Sequence, residues 1–460
     1  MYIIEKNNKK PLCLQLYQEL KKDIIKNYKI GEKIPSIRKI ASTYNLSKNT
    51  VEQAYSQLVV EGYVDSYPKS GYIVTDTNYK DFDKISSNIV TIKEDKKEDI
   101  LYDLFPARLA KDSFPLKIWK RLFTKVIDES LDFGMYQDGQ GEEGLRIQVA
   151  KYLTKSRGVN CNSNQMIICN GFADSMGLLA RLIKDIHTNL ATEFPGYHIA
   201  RKVFDSHDYS IINIPVTKTG IDINKLKQSK SRLVYITPSH QYPTGVAMPV
   251  SSRIELLKWA EDVDGYIIED DYDSELNYVN RPIPALQGLD KNDRVIYLGT
   301  FSKSLSPAVR VSYMILPLLI LEKFKNFYEA RASRVCLSTQ KVLEKFIADG
   351  YWDRHLRKIR TLNKKKHNLL KSLLKEKLGD TIKIVSQGVG LSILINPTVS
   401  FDWQKLEVLA KSERLKLYYA KERSGGEWQA LMMGFGGLKE DEIEDVITLF
   451  SKIWNKCILE

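Results

Sequence analysis

Along the first sixth of the chain, apolar positions return at helical spacing. Leu12, Leu16, Leu20, Ile24 and Ile25 predict an amphipathic helix that ends before Gly31. Pro35-Ser36 opens a second helix, with Ser36 as its cap and Ile37, Ile40 and Ala41 on its buried side. Tyr44-Asn45-Leu46 reads as a turn. Ser47 then caps a third helix, which places Val51, Ala54, Tyr55 and Leu58 on one face, and Glu61-Gly62-Tyr63 stops it. Tyr63-Val64-Asp65-Ser66 and Gly71-Tyr72-Ile73-Val74 read as two strands of a hairpin around Tyr67-Pro68-Lys69-Ser70.

From Thr77 the pattern turns polar, ending in Lys93-Glu94-Asp95-Lys96-Lys97-Glu98-Asp99, with an isolated apolar Ile89-Val90-Thr91-Ile92 that reads as a surface contact. Such a mixed-charge stretch predicts a tether. The expected organisation is a module at 1–76, a linker at 77–100 and a second module at 101–460. In that second module, helical patterns alternate with short β-rich runs at Gln165–Cys169, Asn189–Glu193, Ser210–Ile214, Arg232–Ile236, Tyr266–Asp270 and Arg294–Leu298. Strand–helix alternation without edge-type patterning predicts a mostly parallel sheet covered on both faces, with ligands beyond the strand C-termini. No internal repeat is present.

Composition narrows the class. The 460 residues exceed one compact core, and 43% hydrophobic with 27% charged residues is the balance of a water-soluble globular protein. The longest apolar run, Tyr313–Leu321, is broken by Pro317 and is too short to span a bilayer. The start, Met1-Tyr2-Ile3-Ile4-Glu5-Lys6, lacks a signal pattern, and five cysteines show no metal or disulfide spacing, so the expected location is the cytoplasm, with no metal and no membrane partner. Net charge is +12. Residues 1–75 hold twelve Lys and Arg against seven Asp and Glu, which suits a phosphate backbone.

The densest chemistry lies at Gly299-Thr300-Phe301-Ser302-Lys303-Ser304-Leu305-Ser306-Pro307-Ala308-Val309-Arg310. A lysine among hydroxyls, with an arginine seven residues on, is what a pyridoxal 5'-phosphate (PLP) site needs. The amine meets the aldehyde; the hydroxyls and guanidinium meet the phosphate.

The first module resembles the winged helix-turn-helix of the GntR regulators. The resemblance rests on Gly31, Ile34-Pro35-Ser36-Ile37-Arg38, Ala41, Leu46-Ser47-Lys48-Asn49-Thr50-Val51, Ala54-Tyr55, Leu58, Glu61-Gly62 and Ser70-Gly71-Tyr72. It implies that Ser47, Lys48, Asn49 and Thr50 enter the major groove of an operator duplex, and that Ser36, Arg38, Lys69 and Ser70 hold its backbone. Lys48 stands where the family usually has Arg, which weakens bidentate reading of guanine.

The second module resembles a fold-type-I aminotransferase, which implies an α/β/α layered domain with a mostly parallel sheet and a smaller C-terminal α+β subdomain. The resemblance assigns Lys303 to a Schiff base with PLP. It assigns the phosphate to Gly171, Phe172 and Ala173 at a helix start, together with Thr300, Ser302 and Arg310. Tyr197 is expected to stack on the ring, Asp270 to face the pyridine nitrogen, and Tyr272, with the turn containing His240, to approach the phenolic oxygen. In Tyr136-Gln137-Asp138-Gly139-Gln140-Gly141 the tyrosine is implied to reach the phosphate of the partner subunit, so a head-to-tail homodimer is expected.

The combination is similar to the MocR/GabR regulators, including those of the PdxR type that sense PLP. His240-Gln241-Tyr242-Pro243-Thr244-Gly245 and Glu269-Asp270-Asp271-Tyr272-Asp273-Ser274-Glu275 carry that likeness. One position departs: many relatives bind an amino acid's carboxylate with an arginine two residues before a Gly-Phe pair, and here Met432 stands there. A thioether cannot hold a carboxylate; Arg423 and Arg334 are the candidate substitutes. The expected function is a PLP-dependent transcription regulator. The alternatives are a GabR-like sensor of an amino acid or amine, or an active aminotransferase with a DNA-binding appendage.

Overall fold

The computed structural model describes residues 2–5, 10–68, 70–75, 99–129, 132, 134–278, 283–328, 333–386, 388–421 and 429–459. Two compact units divide the chain, Met1–Lys97 and Glu98–Glu460. Of the expected tether, Asp99 is held in the second unit by an ion pair with Arg414 at 2.5 Å; the Ile89–Ile92 contact lies outside the described residues.

In the first unit, α1 (Leu12–Asn27), α2 (Ile37–Tyr44) and α3 (Lys48–Val60) precede β1 (Val64–Tyr67) and β2 (Gly71–Val74), which pair antiparallel. Leu16, Leu20, Ile40, Val51, Ala54, Tyr55 and Leu58 form one core with Val64 and Val74. Each large aliphatic side chain buried there contributes about 2 kcal/mol. The helix starts are those expected. Ser36 accepts from the Lys39 amide at 3.3 Å and Ser47 from the Thr50 amide at 3.1 Å, each cap being worth about 1 kcal/mol. Asn45 ends α2 in the left-handed region, a conformation that Asn tolerates.

The second unit runs β3 (Tyr102–Asp103), α4 (Leu116–Asp128), α5 (Glu143–Arg157), β4 (Met166–Cys169), α6 (Phe172–Leu182), β5 (Asn189–Phe194), α7 (His198–Asp205), β6 (Ser210–Thr217), β7 (Gly220–Ile221), α8 (Ile223–Gln228), β8 (Leu233–Ile236), α9 (Val250–Asp262), β9 (Tyr266–Asp271), β10 (Val295–Thr300) and β11 (Ser312–Ile315). It continues through α10 (Leu318–Tyr328), α11 (Leu337–Ala348), α12 (Tyr351–Leu378), β12 (Ile382–Ser386), β13 (Ser392–Pro397), α13 (Trp403–Ser412), β14 (Leu415–Lys416), β15 (Tyr418–Lys421), β16 (Gln429–Gly434) and α14 (Glu440–Asn455).

The large sheet has the order β4-β11-β10-β9-β8-β5-β6-β7. Strands β10, β9, β8, β5 and β6 are parallel, whereas β11 runs antiparallel to both its neighbours. β4, β8, β9 and β11 are buried along their whole length, as a sheet covered on both faces requires, while β6, toward the edge, buries fully only Ile214. A smaller antiparallel sheet, β12-β13-β16-β15, packs with α12 and α14 and forms the C-terminal α+β part. β11 differs from the sequence expectation, which recognised only an apolar run at Tyr313–Leu321.

Candidate functional site

The register of three strands assembles one end of the site. Thr300 pairs with Ser312, and Ser312 with Cys169. The loop after β10, the residue before β11 and the turn after β4 therefore meet at one point. Gly171 caps α6 at φ 81°, and Arg310, itself left-handed at φ 54°, donates through Nη2 to the Asn170 carbonyl at 3.0 Å. A Cβ on Gly171 would come within 2.3 Å of the Arg310 guanidinium, so only glycine fits. As first-turn amides, those of Phe172 and Ala173 have no intrahelical acceptor. Thr300 Oγ1 donates to Ser302 Oγ at 3.0 Å and accepts from the Ser302 amide at 3.1 Å. Free amides at a helix start, two hydroxyls and a guanidinium suit a phosphate dianion. The lack of a side chain at Gly171 lets the Arg310 guanidinium reach the start of α6, so the residues fit PLP's phosphate.

Asp270, next to last in β9, lies in the middle of the site. Strand alternation splits the acidic run Glu269-Asp270-Asp271 between the two faces of the sheet. Glu269 accepts from the Leu286 and Gln287 amides, both at 2.8 Å, and Asp271 accepts from Arg157 Nε at 2.7 Å and the Tyr297 hydroxyl at 2.6 Å. Asp270 faces the other way and accepts from the Tyr235 hydroxyl at 2.5 Å. Burial pushes its carboxyl up to about 7, against the pull of that hydrogen bond. Lys303 Nζ lies 5.8 Å from the centre of the Tyr272 ring. Burial lowers its pKa from the ordinary lysine value, while Asp273 and Asp270 oppose the shift. A lysine so disposed yields its proton readily, as an amine nucleophile must.

Tyr197 packs edge-on against Phe172 and Tyr242, with centroids 5.2 and 5.5 Å away. Tyr272 donates to the His240 carbonyl at 3.1 Å, and His240 Nδ1 lies 2.9 Å from Asp273 Oδ2. His240 Nε2 lies 3.3 Å from Ser386 Oγ, which ties the turn after β8 to the small sheet.

The end of the site at β16 is built differently. Met432 is buried with Leu394, Ala420 and Ala430, and its sulfur accepts from the Tyr242 hydroxyl at 3.5 Å. Arg334 does not serve this end: it pairs with Asp174, on α6, at 2.5 Å. Arg423 lies outside the described residues. Tyr136 is 92% exposed.

Sequence reasoning missed Tyr235, Asp174 and Glu193. Tyr235 did carry a signal, a polar-tipped ring inside the apolar run Leu233-Val234-Tyr235-Ile236. Glu193 accepts from the Thr237 amide at 3.0 Å and hydroxyl at 2.7 Å, and burial pushes its carboxyl up to about 7.

In the first unit, Arg38, Ser47, Lys48, Asn49 and Ser70 are exposed and Thr50 is half-buried. Lys48 forms an ion pair with Glu52 at 3.3 Å, so part of its charge is already answered. Lys69 lies outside the described residues.

Comparison with known proteins agrees with both architectures. Residues 12–74 match the bacterial regulatory proteins of the gntR family, and residues 108–416 match aminotransferase class I and II. A Bacillus subtilis protein, the uncharacterized HTH-type transcriptional regulator YdeL, is 36% identical over 96% of this chain and 97% of its own length. The probable rhizopine catabolism regulatory protein MocR of Rhizobium meliloti is 30% identical over 86% of this chain and 83% of its own. The chain belongs to the MocR-type transcriptional regulators. Like them it joins a GntR DNA-binding domain to an aminotransferase domain. The pyridoxine biosynthesis regulator PdxR of Corynebacterium glutamicum is 28% identical over 91% of this chain and 92% of its own. In fold, the MocR-type chain matches the multiple substrate aminotransferase of Thermococcus profundus with a TM-score of 0.69 at 22% identity, over 83% of this chain and 99% of that one. No helix among the described residues is long and apolar enough to cross a membrane.

Proposed function

We propose that this MocR-type chain is a homodimeric DNA-binding regulator that holds PLP on Lys303 and reads the cofactor itself as its effector, with genes of PLP supply as its targets. The observation that carries this reading is the contrast between a fully furnished phosphate end and an opposite end where Met432 and Tyr242 replace a carboxylate-binding cation. The PdxR relative, named for pyridoxine biosynthesis, supports it.

Bound PLP supplies an aldehyde that condenses with an amine and a ring that withdraws electrons. The chain's own residues do the rest. Gly171, Phe172, Ala173, Thr300, Ser302 and Arg310 hold the phosphate, and Tyr136 of the partner subunit completes that end. Asp270 keeps a proton on the pyridine nitrogen, with the Tyr235 hydroxyl fixing the carboxylate. Tyr197 covers the ring; Tyr272 and His240 border its phenolic side. Lys303, whose pKa burial lowers, presents the amine that anchors the group. Ser47–Thr50 enter the major groove, and Ser36, Arg38, Lys69 and Ser70 hold the backbone.

The experiment is binding of the full chain to the DNA upstream of its own gene, with and without PLP. Wild type should change affinity with PLP, and Lys303→Ala should bind DNA but ignore PLP. A wild type indifferent to PLP would overturn the effector reading. The aminotransferase alternative retains one supporting observation, the low-pKa amine beside Asp270. Rapid spectral conversion of the bound cofactor by a panel of amino acids would decide for it.

A further inference from the structure

Positive charge in the second unit is concentrated on one helix. The 28 residues of α12 contain ten Lys and Arg against two Asp and Glu, an excess of eight in a chain whose net charge is +12. Lysine-rich composition does not explain this, because α14 carries five acidic residues and a single lysine. The apolar side of α12, with Trp352, Leu356, Ile359, Leu370 and Leu374, is buried in the core. Arg360 and Lys366 are also turned inward, onto the Glu275 and Gly436 carbonyls.

The outward side carries Arg354, Arg357, Lys358, Lys364, Lys365, Lys371 and Lys375, with Thr361, Asn368 and Ser372 between them and the acids Asp353 and Glu376 near its two ends. Residues three and four apart share a helix face, so these form one stripe. From Arg354 to Lys375 it extends about 32 Å at 1.5 Å per residue. Among the described residues, Lys365 pairs with Glu440 at 2.7 Å and the other six form no ion pair. At its start Arg354 and Arg121, two like charges, lie 4.5 and 5.4 Å from the same Tyr351 ring. A row of cations with so few carboxylates repels itself, and an external polyanion removes that cost.

We infer that the outward face of α12 is a second DNA-contacting surface, which grips duplex phosphates without reading sequence. The inference rests on the chain being a DNA-binding regulator. Its length is close to one turn of duplex, and side chains of Lys, Arg, Thr, Asn and Ser are those that contact phosphates. An anionic membrane fits less well, because the helix's apolar face is already committed to the core and cannot insert.

The test uses the full chain and a 60-base-pair duplex of random sequence. Replacing Arg357, Lys358, Lys364 and Lys375 together by Gln should weaken binding about tenfold at low salt. It should also make the slope of log affinity against log salt shallower by up to about 3.6, since each of the four lost phosphate contacts removes about 0.9. Asn368→Lys, which adds a charge within the stripe, should strengthen binding and steepen that slope. An unchanged slope in both variants would overturn the inference. So would stripe-dependent binding of phosphatidylserine vesicles with DNA binding intact. A wild type that binds no duplex at all would instead remove the regulator reading beneath it, which Arg38→Ala probes separately.

Discussion

The two ends of the candidate cofactor site are made from opposite materials. At the β10–β11–β4 end, an arginine, two hydroxyls and free helix amides converge, the absence of a side chain at Gly171 making room for the guanidinium. At the β16 end a thioether, small aliphatics and tyrosine rings fill the space, and Arg334, an expected substitute, is taken by Asp174 instead. An aminotransferase needs a grip at both ends, because a substrate held only through its amine is free to rotate. On the proposed reading, the difference separates holding a cofactor from turning over an amino acid.

The largest effect is expected midway between the ends, at Asp270. Its folded carboxyl titrates near 7 against an ordinary 3.8, so the folded state binds the extra proton and stability falls as pH rises between those values. Relative to wild type, apo Asp270→Asn should gain stability as pH climbs from about 4 to 7 and level off above, by a few kcal/mol at most. Denaturant midpoints at stepped pH measure it; a pH-independent difference would show that Asp270 carries no buried charge in waiting for a cation.

Next comes Gly171→Ala, which places a methyl against Arg310 at a φ that L-residues rarely adopt. PLP affinity should drop at least tenfold, about 1.4 kcal/mol, by absorbance titration. Unchanged affinity would break the assignment of this end to phosphate. The smallest effect is expected from Met432→Arg. A buried unpaired guanidinium should lower the apo melting temperature by a few degrees, and amino acids, not the corresponding amines, should restore it. Equal rescue by amines would mean that this end never faced the ligand.

The DNA-binding unit was nearly transparent from its order of residues, because its signals are local. Ser36 and Ser47 cap helices within three residues of themselves, and the buried faces of α1 and α3 follow the 3.6 period. The larger unit was legible where a loop follows a strand, hence Lys303, Asp270 and Gly171. It was opaque where partners lie far apart in sequence. Tyr235 meets Asp270 across two strands, and Arg334 is taken by Asp174, 160 residues away. The acidic run at 269–275 shows the same limit. Composition makes its carboxylates equivalent, whereas alternation along β9 sends Asp271 to Arg157 and leaves Asp270 to the site.

The order of residues by itself determined the fold classes, the capped helices of the DNA-binding unit and the lysine, glycine and arginine proposed for the cofactor end. It also determined that Met432 is no arginine. Only the tertiary structure decided that β11 slips antiparallel between β4 and β10, so that Thr300, Ser312 and Cys169 align and carry Arg310 to Gly171. The reason is physical. Local backbone preferences and side-chain periodicity are written in neighbouring residues, but strand register is chosen by packing and hydrogen bonding between segments far apart in the chain.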